Sequence, residues 1–233
     1  MELDFVSLTQ KYPFPEKRPR HHVAPHLYVP YIRLKVVPPN YPLPITSLDW
    51  TEVFQNGRSP DLIDIGSGRG WFLLQIAILN PEKNILGLEI RKNCVDWLEM
   101  VIKGEKIPNV GILWYNVLNG LNFIKDTSIE AVYYLFPDPW PKSKHEKRRA
   151  MTKETLGEVI NKLKVGGSIF FATDLLEIHI FHRTLLREFE TILSFREIPF
   201  KQSWDLPVTN KEMSCIRRGV DYYRIIATKV RDT

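Results

Sequence analysis

From Asp61 onward the chain alternates short apolar runs with longer amphipathic stretches, and that rhythm restricts the fold more than any other feature. Leu62–Ile65, Ile85–Ile90, Gly111–Tyr115, Ala131–Phe136 and Ser168–Ala172 are short and rich in β-branched or aromatic side chains. Such runs suit strands, and the helix-length segments between them suit crossovers. The pattern predicts an α/β fold with a mostly parallel, doubly wound sheet. Among the connecting segments, Trp71–Leu79 is apolar nearly all round, as a buried helix would be. Val95, Leu98, Val101 and Ile102 line one face before Gly104. Leu156, Val159, Ile160 and Leu163 line another, with Gly166-Gly167 as its stop. Leu175, Ile178, Phe181, Leu185 and Phe189 mark the last long helix, and Val220–Lys229 returns as a terminal strand, antiparallel if the sheet needs an edge.

The first 46 residues read differently. They hold nine of the seventeen prolines and show no sustained period, so residues 1–46 are expected to form an extended arm and residues 47–233 one domain. No segment reaches the roughly 18 apolar residues of a membrane span, and MELDFVSLTQ lacks the cationic and apolar regions of a signal peptide. Two distant cysteines, Cys94 and Cys215, match no metal-ligand spacing and suit a reduced compartment. A soluble protein of the cytoplasm is the expectation, with no membrane partner.

Charge is concentrated rather than spread. Between Gln10 and Lys35, Lys11, Lys17, Arg18, Arg20, Arg33 and Lys35 face only Glu16, a local +5. Lys142 to Arg149 adds +4, which leaves −4 for the remainder of a chain whose net charge is +5. Two cationic segments of this density suit a polyanion such as a nucleic-acid backbone. In the arm, cations alternate with His21 and His22, and Tyr28 and Tyr31 offer faces on which bases can stack.

Three stretches carry the chemistry. In Asp64-Ile-Gly-Ser-Gly-Arg-Gly70, glycines at 66, 68 and 70 let the backbone approach a ligand where the first strand turns into a helix. A dinucleotide fingerprint needs glycine at 71, where this chain has Trp71. Glu89, at the end of the second strand, has the spacing from that loop at which a carboxylate accepts both hydroxyls of a ribose. Asn116, closing the third strand, can donate and accept along an adenine edge, or simply serve as a turn residue. In Phe136-Pro-Asp-Pro-Trp-Pro141, three prolines restrict the backbone around Asp138, and the cationic block follows at once. Thr173-Asp174 reads equally as a helix N-cap, and Thr209-x-x-Glu212 as a capping box. His145, His179 and His182 show no ligand pattern, and no metal is expected.

Taken together, the glycine loop, Glu89, the FPDPWPKSKHEKRR stretch and Thr209-Asn-Lys-Glu212 resemble the tRNA (guanine-N7-)-methyltransferases, over residues 18 to 228. The Asp138 stretch is specific to that family. The glycine loop is shared by class I S-adenosylmethionine-dependent methyltransferases generally. The resemblance implies a Rossmann-like class I methyltransferase that uses S-adenosylmethionine to methylate a guanine of the tRNA variable loop. It assigns Asp64, Gly66, Gly68, Gly70, Glu89, Asn116 and Asp138 to the cofactor, with Asp138 also catalytic. Lys142, Asp174, Thr209, Asn210, Lys211 and Glu212 are assigned to the substrate. The chain departs from the common bacterial pattern in carrying Asn116 in place of an acid and Asp64 in place of a glutamate.

The implied chemistry is plausible in its own right. Guanine N7 already exposes an in-plane lone pair, so its methylation needs positioning more than a strong base. Asp138 would orient guanine through its N1 and N2 donors or offset the charge that develops on it. A monomer or homodimer, with or without a partner subunit, fits equally. Removing residues 1–26 should weaken tRNA binding in a salt-dependent way and spare the cofactor. Two rivals stand: a methyltransferase acting on another substrate, and a non-catalytic RNA-binding protein.

Overall fold

A computed structural model of the chain describes residues 4–15, 24–140, 148–200 and 202–232. Its centre is a seven-stranded sheet of β1 (Leu62–Ile65), β2 (Ile85–Glu89), β3 (Val110–Trp114), β4 (Ile129–Leu135), β5 (Leu163–Thr173), β6 (Leu193–Ile198) and β7 (Tyr223–Lys229), in the spatial order β3-β2-β1-β4-β5-β7-β6. β1 to β5 pair in parallel, and β7 runs antiparallel to both of its neighbours. The C-terminal strand is therefore antiparallel, as its pattern suggests, but it lies inside the sheet. The edge falls to β6, a strand that the sequence pattern does not announce: four of its six residues are not fully buried.

Alternating residues of each central strand face two apolar layers. Leu62, Ile85, Ala131 and Tyr133 pack with helices α2 (Trp71–Leu79) and α3 (Lys92–Glu105). Ile63, Ile65, Leu86, Leu88 and Val132 pack with α4 (Lys153–Lys162) and α5 (Leu176–Arg187). α2 is apolar all round because it is covered on most sides, with Phe72, Leu73, Leu74, Ile76 and Ala77 all buried.

Two glycine expectations need correction. Gly104 lies within α3, and the helix ends instead at Lys106, whose φ of 53° gives the left-handed cap. Gly104 serves packing: an added Cβ would stand 2.1 Å from Tyr12 Oη. Gly166 and Gly167 do not stop α4 either, since β5 begins immediately after that helix. The two glycines form an irregularity in β5, where pairing with β4 passes from Ile129–Leu163 to Ala131–Ser168.

The first 46 residues are not extended throughout. Asp4 accepts from the backbone N–H groups of Val6 and Ser7 and starts a helix, α1 (Phe5–Lys11), despite the prolines that follow it. Leu8 of α1 is buried in the α2–α3 layer, the Trp97 indole donates to Tyr12 O at 2.8 Å, and Phe14 stands edge-on to Trp97 at 5.7 Å. Removing residues 1–26 would thus strip core contacts as well as cations. That truncation is a poor test of charge alone. No helix among the described residues is long and apolar enough to cross a membrane.

Candidate functional site

The chain reverses its winding between β1 and β4, and in open α/β sheets ligands sit outside the carboxyl ends of the strands at such a point. A pocket opens there. Its walls include Gly66 from the loop after β1, Glu89 and Arg91 after β2, Asn116 after β3, Pro137 and Asp138 after β4, and Leu27 and Tyr28 from the N-terminal segment. Sequence positions from 27 to 138 meet at this one rim.

The glycine loop divides its tasks. Gly66, Gly68 and Gly70 all have positive φ, at 85°, 59° and 68°. Gly70 starts α2, and an added Cβ would lie 2.4 Å from Leu98 Cδ2, so this glycine permits helix-to-helix approach. At Gly66 an added Cβ would meet nothing within 4 Å among the described residues, and the residue borders the pocket. The backbone at Gly66 is therefore open toward the pocket among the described residues. That fits a nucleoside-bearing cofactor.

Asp64 shares a strand face with Leu62 and is buried, with only 4% of its surface exposed. Burial, opposed by the Ser67 hydroxyl and reinforced by nearby Glu89, pushes its carboxyl up to about 7. Glu89 is also buried, but it is well supplied with donors. Its Oε2 accepts from Gly68 N at 2.6 Å and from Arg91 Nη2 at 3.3 Å, and its Oε1 from Arg91 N at 2.8 Å and Nε at 3.0 Å. Sequence reasoning passed over Arg91, although a cation two residues beyond a strand-end acid is a visible signal.

Asn116 is buried and held by the N-terminal segment. Its Nδ2 donates to Leu27 O at 2.9 Å and to Tyr41 Oη at 3.0 Å, while its Oδ1 accepts from Leu118 N at 3.1 Å. Asn119 continues the strap, accepting from Tyr31 N and donating to Pro42 O. An ionised acid at position 116 could not donate to the Leu27 carbonyl, so the amide suits this neighbour.

Asp138 is half-buried and accepts a hydrogen bond from the Tyr28 hydroxyl. Two non-glycine residues beside it have positive φ, Phe136 at 50° and Trp140 at 36°. Side chains of Arg148, Arg149 and Tyr28 hold this bend. Arg149 donates to Trp140 O from Nε and Nη2, both at 3.3 Å, and the Arg148 guanidinium lies 4.7 Å from the Trp140 ring centroid. Tyr28 stands edge-on to Trp140 at 4.9 Å, so this tyrosine stacks inside its own fold, and Tyr31 lies against Tyr41.

The remaining predicted residues gather beyond β5. Asp174 is not an N-cap: Leu175 occupies that position, and Asp174 pairs with Lys211 at 2.7 Å. Thr209 and Glu212 form the capping box of α6 (Asn210–Arg218), with both of its hydrogen bonds at 3.0 Å, and both residues are buried. Asn210 and Lys211 are exposed. Lys142 and His145 lie outside the described residues. His179 and His182 are core residues: the first stacks on Tyr223 and hydrogen-bonds Glu197, and the second lies among Tyr134, Phe171 and Phe181. No cluster of three or more potential metal ligands occurs among the described residues.

Comparison with known proteins places this site in context. A tRNA (guanine-N(7)-)-methyltransferase of Francisella philomiragia is 38% identical over 131 residues, covering 56% of this chain and 57% of that protein. One from Lactobacillus gasseri is 35% identical over 135 residues, covering 58% and 62%. The alignments thus span less than two thirds of those relatives. A solved antibiotic-related methyltransferase matches the fold with a TM-score of 0.56 at 15% identity, over 82% of this chain and 98% of that one. A family model described as a putative methyltransferase matches residues 58–225, which include β1 through β6, the start of β7 and every predicted site residue. The chain belongs to this putative methyltransferase family.

Proposed function

We propose that the protein is an S-adenosylmethionine-dependent methyltransferase that modifies N7 of a guanine in the tRNA variable loop. One observation carries the reading: the open glycine loop, Glu89 and Asp138 border a single pocket at the reversal point of the sheet. The names of the relatives support the substrate. A tRNA substrate in turn implies work in the cytoplasm.

In this reading Gly66 and Gly68 present backbone to the cofactor, Glu89 and Asn116 line its nucleoside side, and Asp64 supports that side from the buried end of β1. When bound, S-adenosylmethionine supplies an electrophilic methyl group on a cationic sulfur. The four donors already on Glu89 have a consequence: a ribose diol taken up there replaces guanidinium contacts of Arg91. Asp138 faces the guanine. N7 carries its own lone pair, so no residue needs to remove a proton from it. As the base becomes cationic, a fixed carboxylate beside it gains in value, which is the condition for catalysis rather than mere binding. Asp138 therefore holds the N1 and N2 donors or offsets the new charge. Lys142, Asp174, Asn210 and Lys211 contact RNA, and Thr209 and Glu212 support that loop through their capping box.

The test is direct. Incubation with methyl-labelled S-adenosylmethionine and bulk tRNA, followed by digestion to nucleosides, should yield labelled 7-methylguanosine. Label in another nucleoside or in protein would favour a different substrate, and no transfer to any acceptor would point to a non-catalytic RNA-binding protein.

A further inference from the structure

Tyr28 ends the short turn Pro25–Tyr28, is 6% exposed, and shares the pocket wall with Asp138. Its hydroxyl donates to Asp138 Oδ2, and its ring meets the Trp140 indole edge-on. A flat ring that packs on an indole and presents a donor to a carboxylate offers what a guanine offers through N1–H and N2–H. A carboxylate oxygen can accept two hydrogen bonds, so the competition is for space: the Tyr28 ring, packed on Trp140, fills the approach to Asp138 Oδ2 that a base would use. The turn is docked from either side of Tyr28, since Asn116 binds Leu27 O and Tyr41 Oη donates to Val29 O at 2.7 Å, and Asn119 accepts from Tyr31 N. Exposed Arg33 and Lys35 follow within seven residues.

Building on the reading of Asp138 as the carboxylate that meets guanine, we infer that Tyr28 occupies the base site as an internal stand-in and so selects guanine carried by RNA over free guanine nucleotides. A mononucleotide brings one base and one phosphate against a ring contact, a charge-assisted hydrogen bond and the docked turn. An RNA brings further phosphates, which Arg33 and Lys35 can meet while the turn lifts away. Tyr28 is thus a specificity residue, distinct from the carboxylate it covers.

The experiment measures 5′-GMP binding by calorimetry at fixed low salt, beside the nucleoside assay for 7-methylguanosine. Tyr28→Phe deletes the hydrogen bond that holds the ring there and should bind 5′-GMP about tenfold more tightly than the parent, the scale of one hydrogen bond to a charged group. Asn119→Ala loosens the strap without altering the pocket wall and should tighten 5′-GMP binding several-fold, so a misfolded Tyr28 variant would not leave the question open. A purely structural Tyr28 predicts the opposite, a lower Tm with equal or weaker 5′-GMP binding. If the parent makes 7-methylguanosine but neither variant gains 5′-GMP affinity, the stand-in role is overturned and the function stands. If the variants gain affinity while the parent methylates no tRNA, the function fails and Tyr28 still covers a guanine site.

Discussion

The rim of the pocket has two halves that reach positive φ by different means. After β1 the turn uses glycine, and Glu89 at the end of β2 is satisfied by Gly68 N and by Arg91, a neighbour two residues away. After β4, left-handed backbone is carried by Phe136 and Trp140, and the contacts that hold it come from Arg149, nine residues on from Trp140, and from Tyr28, far off in sequence. Non-glycine residues in such conformations persist only where their surroundings over-determine them, and they cluster where chemistry is done. The first half is a cradle encoded locally. The second is a bend of left-handed non-glycine backbone held by its neighbours, and in the proposed function it is the half that meets the base.

The sharpest way to break that contrast is Asp138→Asn, which keeps size and shape but removes charge from the strained half. Loss of one such electrostatic group typically costs about 100- to 1,000-fold in kcat. Cofactor affinity, measured by calorimetry, should stay within about threefold if Glu89 and the glycine loop dominate it. Wild-type kcat with unmodified tRNA would remove Asp138 from catalysis and leave the left-handed bend without a purpose.

Within the cradle, Gly70 and Gly66 should part company. Gly70→Ala forces a Cβ against Leu98, which is fully buried, at a φ of 68°. Left-handed strain and overpacking together should lower stability by about 2–4 kcal/mol in denaturant unfolding. Gly66→Ala meets open space and carries strain alone, about 1 kcal/mol, yet it should weaken cofactor binding more than its stability loss explains. Equal effects of the two on stability would mean that the loop is one packing unit, with no surface reserved for a ligand.

Two buried titratable groups, Asp64 at the start of the cradle and His182 in the core on α5, have opposite sense. Asp64 is lifted to about 7 by burial, so between the ordinary carboxylate range and pH 7 the folded state holds a proton that the unfolded chain has lost. Its contribution therefore falls as pH rises through that window. His182 is lowered to about 3 by burial and by nearby His179 and Arg149, so below the ordinary histidine value of 6.5 the unfolded chain takes up a proton that the fold refuses. Here stability falls as pH drops from about 6.5 toward 3. Asp64→Asn should gain on the wild type by about 2–3 kcal/mol on going from pH 5 to pH 8, whereas His182→Gln should flatten the acid side instead. Parallel pH curves for wild type and Asp64→Asn would show that this carboxyl is not buried as described.

What the sequence discloses follows the same division. Parallel strands buried on both faces leave unbroken apolar runs, and β1 is legible to the residue. β6 is half-exposed and polar, and α1 is only seven residues long, so neither leaves a strong period. Glycine spacing reveals the cradle because a positive φ has a residue preference. Nothing in the spacing of Tyr28 and Asp138, 110 residues apart, could reveal their contact. Asn116 is ambiguous for a related reason: a residue able to donate and accept suits adenine and a passing backbone equally, and only the fold shows that its Nδ2 meets the Leu27 carbonyl.

The smallest effect falls on the pair beyond β5, where a structural and a functional account still compete. Lys211 and Asp174 have side chains 45% and 26% exposed. Exposed ion pairs of this kind are typically worth about 0–1 kcal/mol, because water screens the charges and two long side chains lose freedom. Lys211→Gln should therefore leave Tm nearly unchanged. If the pair only tethers α6 to the end of β5, tRNA affinity should also stay the same at every salt concentration. If Lys211 meets a phosphate, affinity should fall for all tRNA species alike, and the slope of log K against log salt should shrink by about one. Stability and salt slope thus answer separately, and a variant that loses stability but keeps the slope would return the whole α6 cluster to the scaffold.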